Sequence, residues 1–170
     1  MSAILTPDLL GRFVLTTLTF EDLASLDGQE LGVANDPYAC IGLTFSNAAV
    51  EKDAKIHSSS RGVALKSKCS TDRMHQEEIN LHFAKPHGGF GFFFRTSHSG
   101  PLIIGVFDAH ETLVEEDVFH EGEGYAGVIR ARAEIEIVRI TAKIERPDAA
   151  ERAAFYIDDL TCGSEMKAKY

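Results

Sequence analysis

An antiparallel all-β sandwich of jelly-roll type, with about ten strands, is the fold this sequence predicts. Three observations carry it: short runs rich in β-branched and aromatic residues, turn signals of Gly, Pro, Asn and Asp between them, and no long stretch of apolar residues at helical spacing. A chain of 170 residues falls in the range of one domain and buries enough surface to stand without metal or disulfide staples. The expected boundaries are an N-terminal tail or short helix over 1–12, the sandwich over 13–163 and a C-terminal tail over 164–170.

The first strand is read at Phe13–Phe20, where β-branched and aromatic residues suit a pleated surface. Glu21–Pro37 holds Asp27-Gly28, Gly32 and Asn35-Asp36-Pro37, a turn-residue density that predicts a long connection. Strand character resumes over Tyr38–Phe45, lapses in the polar stretch Ser46–Arg61 and returns at Gly62–Lys66. In Glu78–Lys85 the apolar residues 79, 81 and 83 recur with a period of two, so one face is buried and His82 points away from the core. Phe90–Arg95 is an aromatic strand expected at the centre of a sheet. Pro101–Phe107 and Thr112–His120 read as a hairpin closed by Asp108-Ala109-His110-Glu111. Tyr125–Ile129 follows, and in Glu134–Ile144 the isoleucines change phase near Val138, which predicts a bulge or two adjoining pieces. Pro147–Arg152 is a loop or single helical turn, and Ala153–Cys162 is the last strand.

Composition narrows the function. The mean hydropathy of −0.08 and the lack of any apolar run near the roughly 18 residues of a spanning helix exclude membrane insertion by helices. The net charge of −9, from 26 acids against 17 basic residues, opposes phosphate backbones, so no nucleic acid is expected. Seven acids between Asp108 and Glu123 would draw a cation or basic partner first, or form a solvated strand face. The start at Met1 lacks the basic and apolar regions of a signal peptide, so the expected location is secreted if a leader has been removed and cytoplasmic otherwise. Cys40, Cys69 and Cys162 have no CxxC spacing, which argues against a zinc knuckle. A Cys40–Cys162 bridge requires the two segments to be neighbours.

The order of several segments then becomes informative. Leu18-Thr19-Phe20-Glu21-Asp22-Leu23, Tyr38 with Gly42-Leu43-Thr44-Phe45-Ser46-Asn47-Ala48, Ile79-x-Leu81-x-Phe83 with Pro86, Val106-Phe107-Asp108-Ala109 and Phe155–Gly163 follow one another along residues 18–163. In this order and spacing the chain resembles the secreted bacterial and fungal β-sandwich proteins related in fold to carbohydrate-binding jelly-roll modules, a group that often carries a Pro-Glu-Pro sorting tail. The resemblance implies a structural calcium ion where first and last strands meet, held by Glu21 or Asp22 and by Asp158 or Asp159. Calcium takes six to eight oxygen ligands, which carboxylates beside a carbonyl-rich loop supply. Unbroken alternation would turn Asp159 inward with Phe155 and Ile157 and Asp158 outward with Tyr156. No EF-hand loop is present.

Signatures of catalysis are missing: no Gly-x-Ser-x-Gly elbow, no His-Glu-x-x-His helix and no phosphate loop occur. The seven histidines contain no His-x-His pair, which argues against a cupin-type metal site. His82, His87 and His98 could meet at a sandwich tip, with ordinary surface histidines as the simpler account. The expected function is therefore a non-catalytic binding or adhesion module, carbohydrate-binding-like, with Tyr38, Tyr125 and Tyr156 as candidate ligand platforms. The alternatives are a structural or assembly protein acting through protein–protein contacts, whether as an oligomer or with another protein, and an enzyme whose site is built from loops 46–61 and 67–77 with Lys66, Lys68, Arg73 and His75.

Overall fold

The computed structural model describes residues 13–32, 36–54, 62–69, 76–96, 100–120, 122–130, 132–143 and 154–166. Residues 1–12, residues 55–61 and 70–75 of the two loops, the expected loop or turn at Pro147–Arg152, and His57, Arg73, His75 and His98 lie outside the described residues. Strands form where the sequence alternates or runs apolar: β1 Phe13–Leu18, β2 Glu30–Leu31, β3 Leu43–Ser46, β4 Ala48–Glu51, β5 Ala64–Cys69, β6 Gln76–His87, β7 Gly89–Thr96, β8 Leu102–Phe107, β9 Leu113–Phe119, β10 Glu123–Ile129, β11 Ile135–Lys143 and β12 Phe155–Met166. Among the described residues no helix is long and apolar enough to cross a membrane.

All pairings are antiparallel, and the main path runs β10-β7-β12-β5-β6-β11-β8-β9. The path folds over at β5, which pairs with β12 through Leu65 and Lys66 and with β6 through Lys68 and Cys69. One layer holds β10, β7, β12, β1, β4 and β2; the other holds β6, β11, β8, β9 and β3. Phe90, Phe92 and Phe94 of β7 bury one face of the first layer against Ile79, Leu81, Ile104, Val106, Val138 and Ile140 in a single core. β7 lies between β10 and β12, the central position expected for the aromatic strand.

The hairpin of β8 and β9 is present. Its turn is tied by Asp108, whose carboxylate accepts the N–H groups of His110 at 2.8 Å and Thr112 at 3.0 Å. Those bonds, the one from Thr112 foremost, hold the Asp108 carboxyl below the usual carboxylate range. The predicted irregularity in β11 lies at Ile135/Ile137, two residues earlier than the phase change suggests.

Expectations for four segments are corrected. Glu21–Leu26 is a 3₁₀ helix that buries Leu23, and Glu30–Leu31 is a short strand, where a connection without structure was expected. Strand character does not begin at Tyr38: a 3₁₀ turn at Ala39–Ile41 closes on Gly42, whose φ of 81° suits glycine, and β3 starts at Leu43. The cause is tertiary. Tyr38 packs against Phe20 and Phe45, and Asp36 accepts the Phe45 N–H at 2.7 Å. In the stretch read as polar loop, Asn47 at φ 57° turns the chain into β4, which buries Ala48 and Val50. The last strand, expected over Ala153–Cys162, is Phe155–Met166. Cys40 and Cys162 are free thiols, the first exposed and the second buried, so they do not form the bridge considered. Burial pushes the Cys162 thiol up to about 11.

Candidate functional site

Alternation along β8 and β11 places every second side chain on the outward face of the second layer. Val138, Ile140 and Ala142 point inward with Leu102, Ile104 and Val106. Arg139 and Thr141 therefore point outward, opposite Gly105 and Ile103. On the far side of β8, Gly105 opposes Glu116, Ile103 opposes Val118 and Phe107 opposes Leu113. Gly105 has no side chain to fill the middle row, and a groove of ≈ 190 Å³ opens there, lined also by Gln76, Ile103, Phe107 and Thr141.

Arg139 is held in place from behind. Its Nε donates to Asn80 Oδ1 at 3.3 Å and lies 3.9 Å from Glu78 Oε1, while Asn80 Nδ2 donates to the same Glu78 oxygen at 2.5 Å. Glu78 is buried, and a buried carboxylate requires such a charged, hydrogen-bonded partner. The guanidinium stands 5.1 Å from the centre of the Phe107 ring, within cation–π range. Its terminal amino groups donate to no described residue. Across the groove, on β9, the Glu116 carboxylate makes no hydrogen bond or ion pair with any described residue; on the Arg139 side, Gln76 Oε1 of β6 is buried without a partner among the described residues. The groove thus places the Arg139 guanidinium and the Gln76 carbonyl on its β11 and β6 side, the Glu116 carboxylate on its β9 side and apolar groups at both ends. Leu113, 50% exposed, and Val118, 44% exposed, extend those ends onto β9.

The residues singled out from sequence lie elsewhere, in three places. Tyr38 is buried in the aromatic cluster of the core, its hydroxyl donating to Asp22 Oδ1 at 2.7 Å, so it is a core residue rather than a platform. Burial and then the Asp22 carboxylate push its ionisation far above the ordinary tyrosine range. Glu21, at the start of the same 3₁₀ helix, accepts the Val63 N–H at 3.2 Å. Tyr125 and Tyr156 share the outward face of the first layer with Phe93 and Asp158, as the pairings Tyr125↔Phe93, Asp158↔Phe93 and Tyr156↔Arg95 require. Tyr156 donates to Glu51 and receives the Lys66 ammonium 5.7 Å above its ring.

Asp158 and Asp159 sit in a bulge that unbroken alternation did not anticipate. The register of β12 on β7 slips between Asp158 and Thr161, and Asp159 takes φ 47°. The extra residue keeps Phe155 and Ile157 inward on one side of the bulge and Leu160 and Cys162 inward on the other. Asp158 and Asp159 are both buried, at 0% and 4% exposure, and Asp158 caps the bulge by accepting the Asp159 N–H at 2.7 Å. Asp158 lies on the outward face with Tyr156, as alternation predicts, yet it is buried there. Asp159 also bears on Tyr125: burial first, and then this carboxylate, push the Tyr125 hydroxyl up to about 12. Among the described residues no three His, Cys, Asp or Glu side chains gather into a metal-sized cluster.

The groove residues were not singled out from sequence. The available signals were Arg139 and Thr141 at alternate positions of an isoleucine-rich strand, and Gly105 inside an apolar one, where glycine marks a close approach or an opening.

No family model matches this chain, and no curated protein matches it. Among solved structures, it is similar to the K2 cleaved adhesin domain of Lys-gingipain, with a TM-score of 0.52 at 11% identity, over 89% of this chain and 99% of that one. A variant of the family 29 carbohydrate-binding module CBM29-2 complexed with mannohexaose superposes with a TM-score of 0.49 at 12% identity, over 90% of this chain and 94% of that one. At 11% identity the likeness to the adhesin domain is one of fold alone.

Proposed function

We propose that this protein is a non-catalytic binding or adhesion module that takes a glycan into the groove between β6, β11, β8 and β9. The observation that carries the reading is Arg139. It lines the groove, its guanidinium is fixed by Asn80, Glu78 and Phe107, and its terminal amino groups have no partner among the described residues. A fixed donor beside apolar surface suits a sugar, whose ring offers hydroxyl oxygens at its rim and C–H groups on its faces.

Calorimetry with neutral hexasaccharides of glucose, mannose and xylose, and with hexagalacturonate, tests the reading. At least one is expected to bind wild type, and Arg139→Ala is expected to weaken it by about 10- to 100-fold, the loss of one charge-assisted hydrogen bond. Because Arg139→Ala also leaves Glu78 buried without its cation, Gln76→Ala serves as a second variant outside that charge network. Binding unchanged in both variants, or no binding by wild type, overturns the proposal.

Exposed Leu113 and Val118 on the edge strand β9 favour a second reading, a protein partner held by the same face. Calcium is a separate part of the reading. Main-chain carbonyls would have to complete its ligand shell, since Asp22 and Asp158 already accept hydrogen bonds from Tyr38 and Asp159. If an ion joins the end of β12, millimolar calcium after chelation raises the wild-type melting temperature and Asp159→Asn abolishes the rise. Superimposable melting curves remove calcium from the proposal.

A further inference from the structure

The geometry points to a neutral sugar as the ligand class, recognised through two adjacent hydroxyl groups that bridge Arg139 and Glu116 above Gly105. This inference rests on the proposed glycan groove and deepens it. Arg139, Gly105 and Glu116 occupy one row across β11, β8 and β9. Two strand spacings, about 9.5 Å, separate the outer members of the row.

The guanidinium can only donate hydrogen bonds, and an ionised carboxylate can only accept them. Long side chains of opposite charge in one row, with only a glycine between them, would ordinarily close on each other. Here Arg139 is turned to Asn80, Glu78 and Phe107, and Glu116 makes no ion pair among the described residues. A guest lying between them must accept on one side and donate on the other, which adjacent hydroxyls of a sugar do. A carboxylate or sulfate has acceptors alone and would meet Glu116 with like charge. Buried Glu78 and exposed Glu116 both add negative potential, and Arg139 is the only cation lining the groove among the described residues.

Gly105 is the specificity-determining residue of this arrangement. A methyl group placed there would lie 3.0 Å from Phe107 Cε2, 3.3 Å from its Cζ and 3.7 Å from Leu113 Cδ1. The Phe107 ring can yield by a few tenths of an ångström, so Gly105→Ala fills the notch without removing any strand pairing. At the walls, Ile103 with Val118 and Phe107 with Leu113 offer apolar surface to the C–H faces of the flanking sugar units.

The experiment is calorimetry of the same hexasaccharides with wild type, Gly105→Ala and Glu116→Gln, alongside their melting curves. The neutral sugars are expected to bind in preference to hexagalacturonate. Both variants should lose at least tenfold in affinity while their melting temperatures stay within a few degrees of wild type. Preference for hexagalacturonate, tighter binding by Glu116→Gln or unchanged binding by Gly105→Ala overturns the neutral-sugar assignment and leaves the glycan groove standing. Failure of every sugar to bind wild type removes the groove reading and this inference together.

Discussion

Gly127→Ala is expected to detach β10 from the sheet and lower stability by about 3 kcal/mol or more, at the upper end of what overpacking costs. Gly127 lies opposite Gly91 in the pairing of β10 with β7. A Cβ added to it would stand 2.1 Å from the Phe90 carbonyl oxygen and 2.7 Å from Gly91 Cα, both main-chain atoms of the neighbouring strand. No rotamer relieves such an overlap; the strands themselves must part. At about 2–4 °C per kcal/mol for a chain of this size, the melting temperature should fall by roughly 10 °C. Gly91→Ala is the control. Its added methyl would meet the ring end of Tyr125, with Oη at 2.3 Å, and a flexible side chain can swing aside. Adding Tyr125→Ala should therefore rescue Gly91→Ala and leave Gly127→Ala unrescued, a difference a double-mutant cycle reads directly. Near-wild-type melting of Gly127→Ala would show that β10 is not held in this register.

Phe92→Ala is expected to cost about 3–5 kcal/mol, the range for truncating a fully buried aromatic ring. Phe92 is wholly buried in the middle of β7, near-parallel to Phe90 with ring centroids 6.1 Å apart. Denaturant melts should show a lower midpoint with little change in slope, because the unfolded surface is nearly the same. Truncating Phe93, one residue on, supplies the contrast. Its half-buried ring lies on the outer face, edge to face with Tyr125 at 4.9 Å, and its loss should cost markedly less. Equal costs for the two would mean that β7 does not present Phe92 to the core.

That pair of neighbours shows how much was legible beforehand. Period-two alternation is a local property, and it correctly turned Ile79, Leu81 and Phe83 inward and His82 outward. The hairpin of β8 and β9, the central aromatic strand and the all-β sandwich were likewise readable, because turn chemistry and strand composition act over a few residues. The bulge at Asp158 and Asp159 was in principle visible, since Phe155, Ile157, Leu160 and Cys162 change phase by one residue. An assumption of unbroken alternation concealed it.

Tertiary structure alone decided the rest. Tyr38 reads as a strand-end aromatic until Phe20, Phe45 and Asp22 surround it. The groove depends on β8 lying between β11 and β9, which brings Arg139, Gly105 and Glu116 into one row although 34 residue numbers separate the first two (139 − 105) and 23 separate the outer two (139 − 116). Alternation says which way a side chain points. Only the strand order and register, fixed by closing one core between two layers, say which side chains point at the same place.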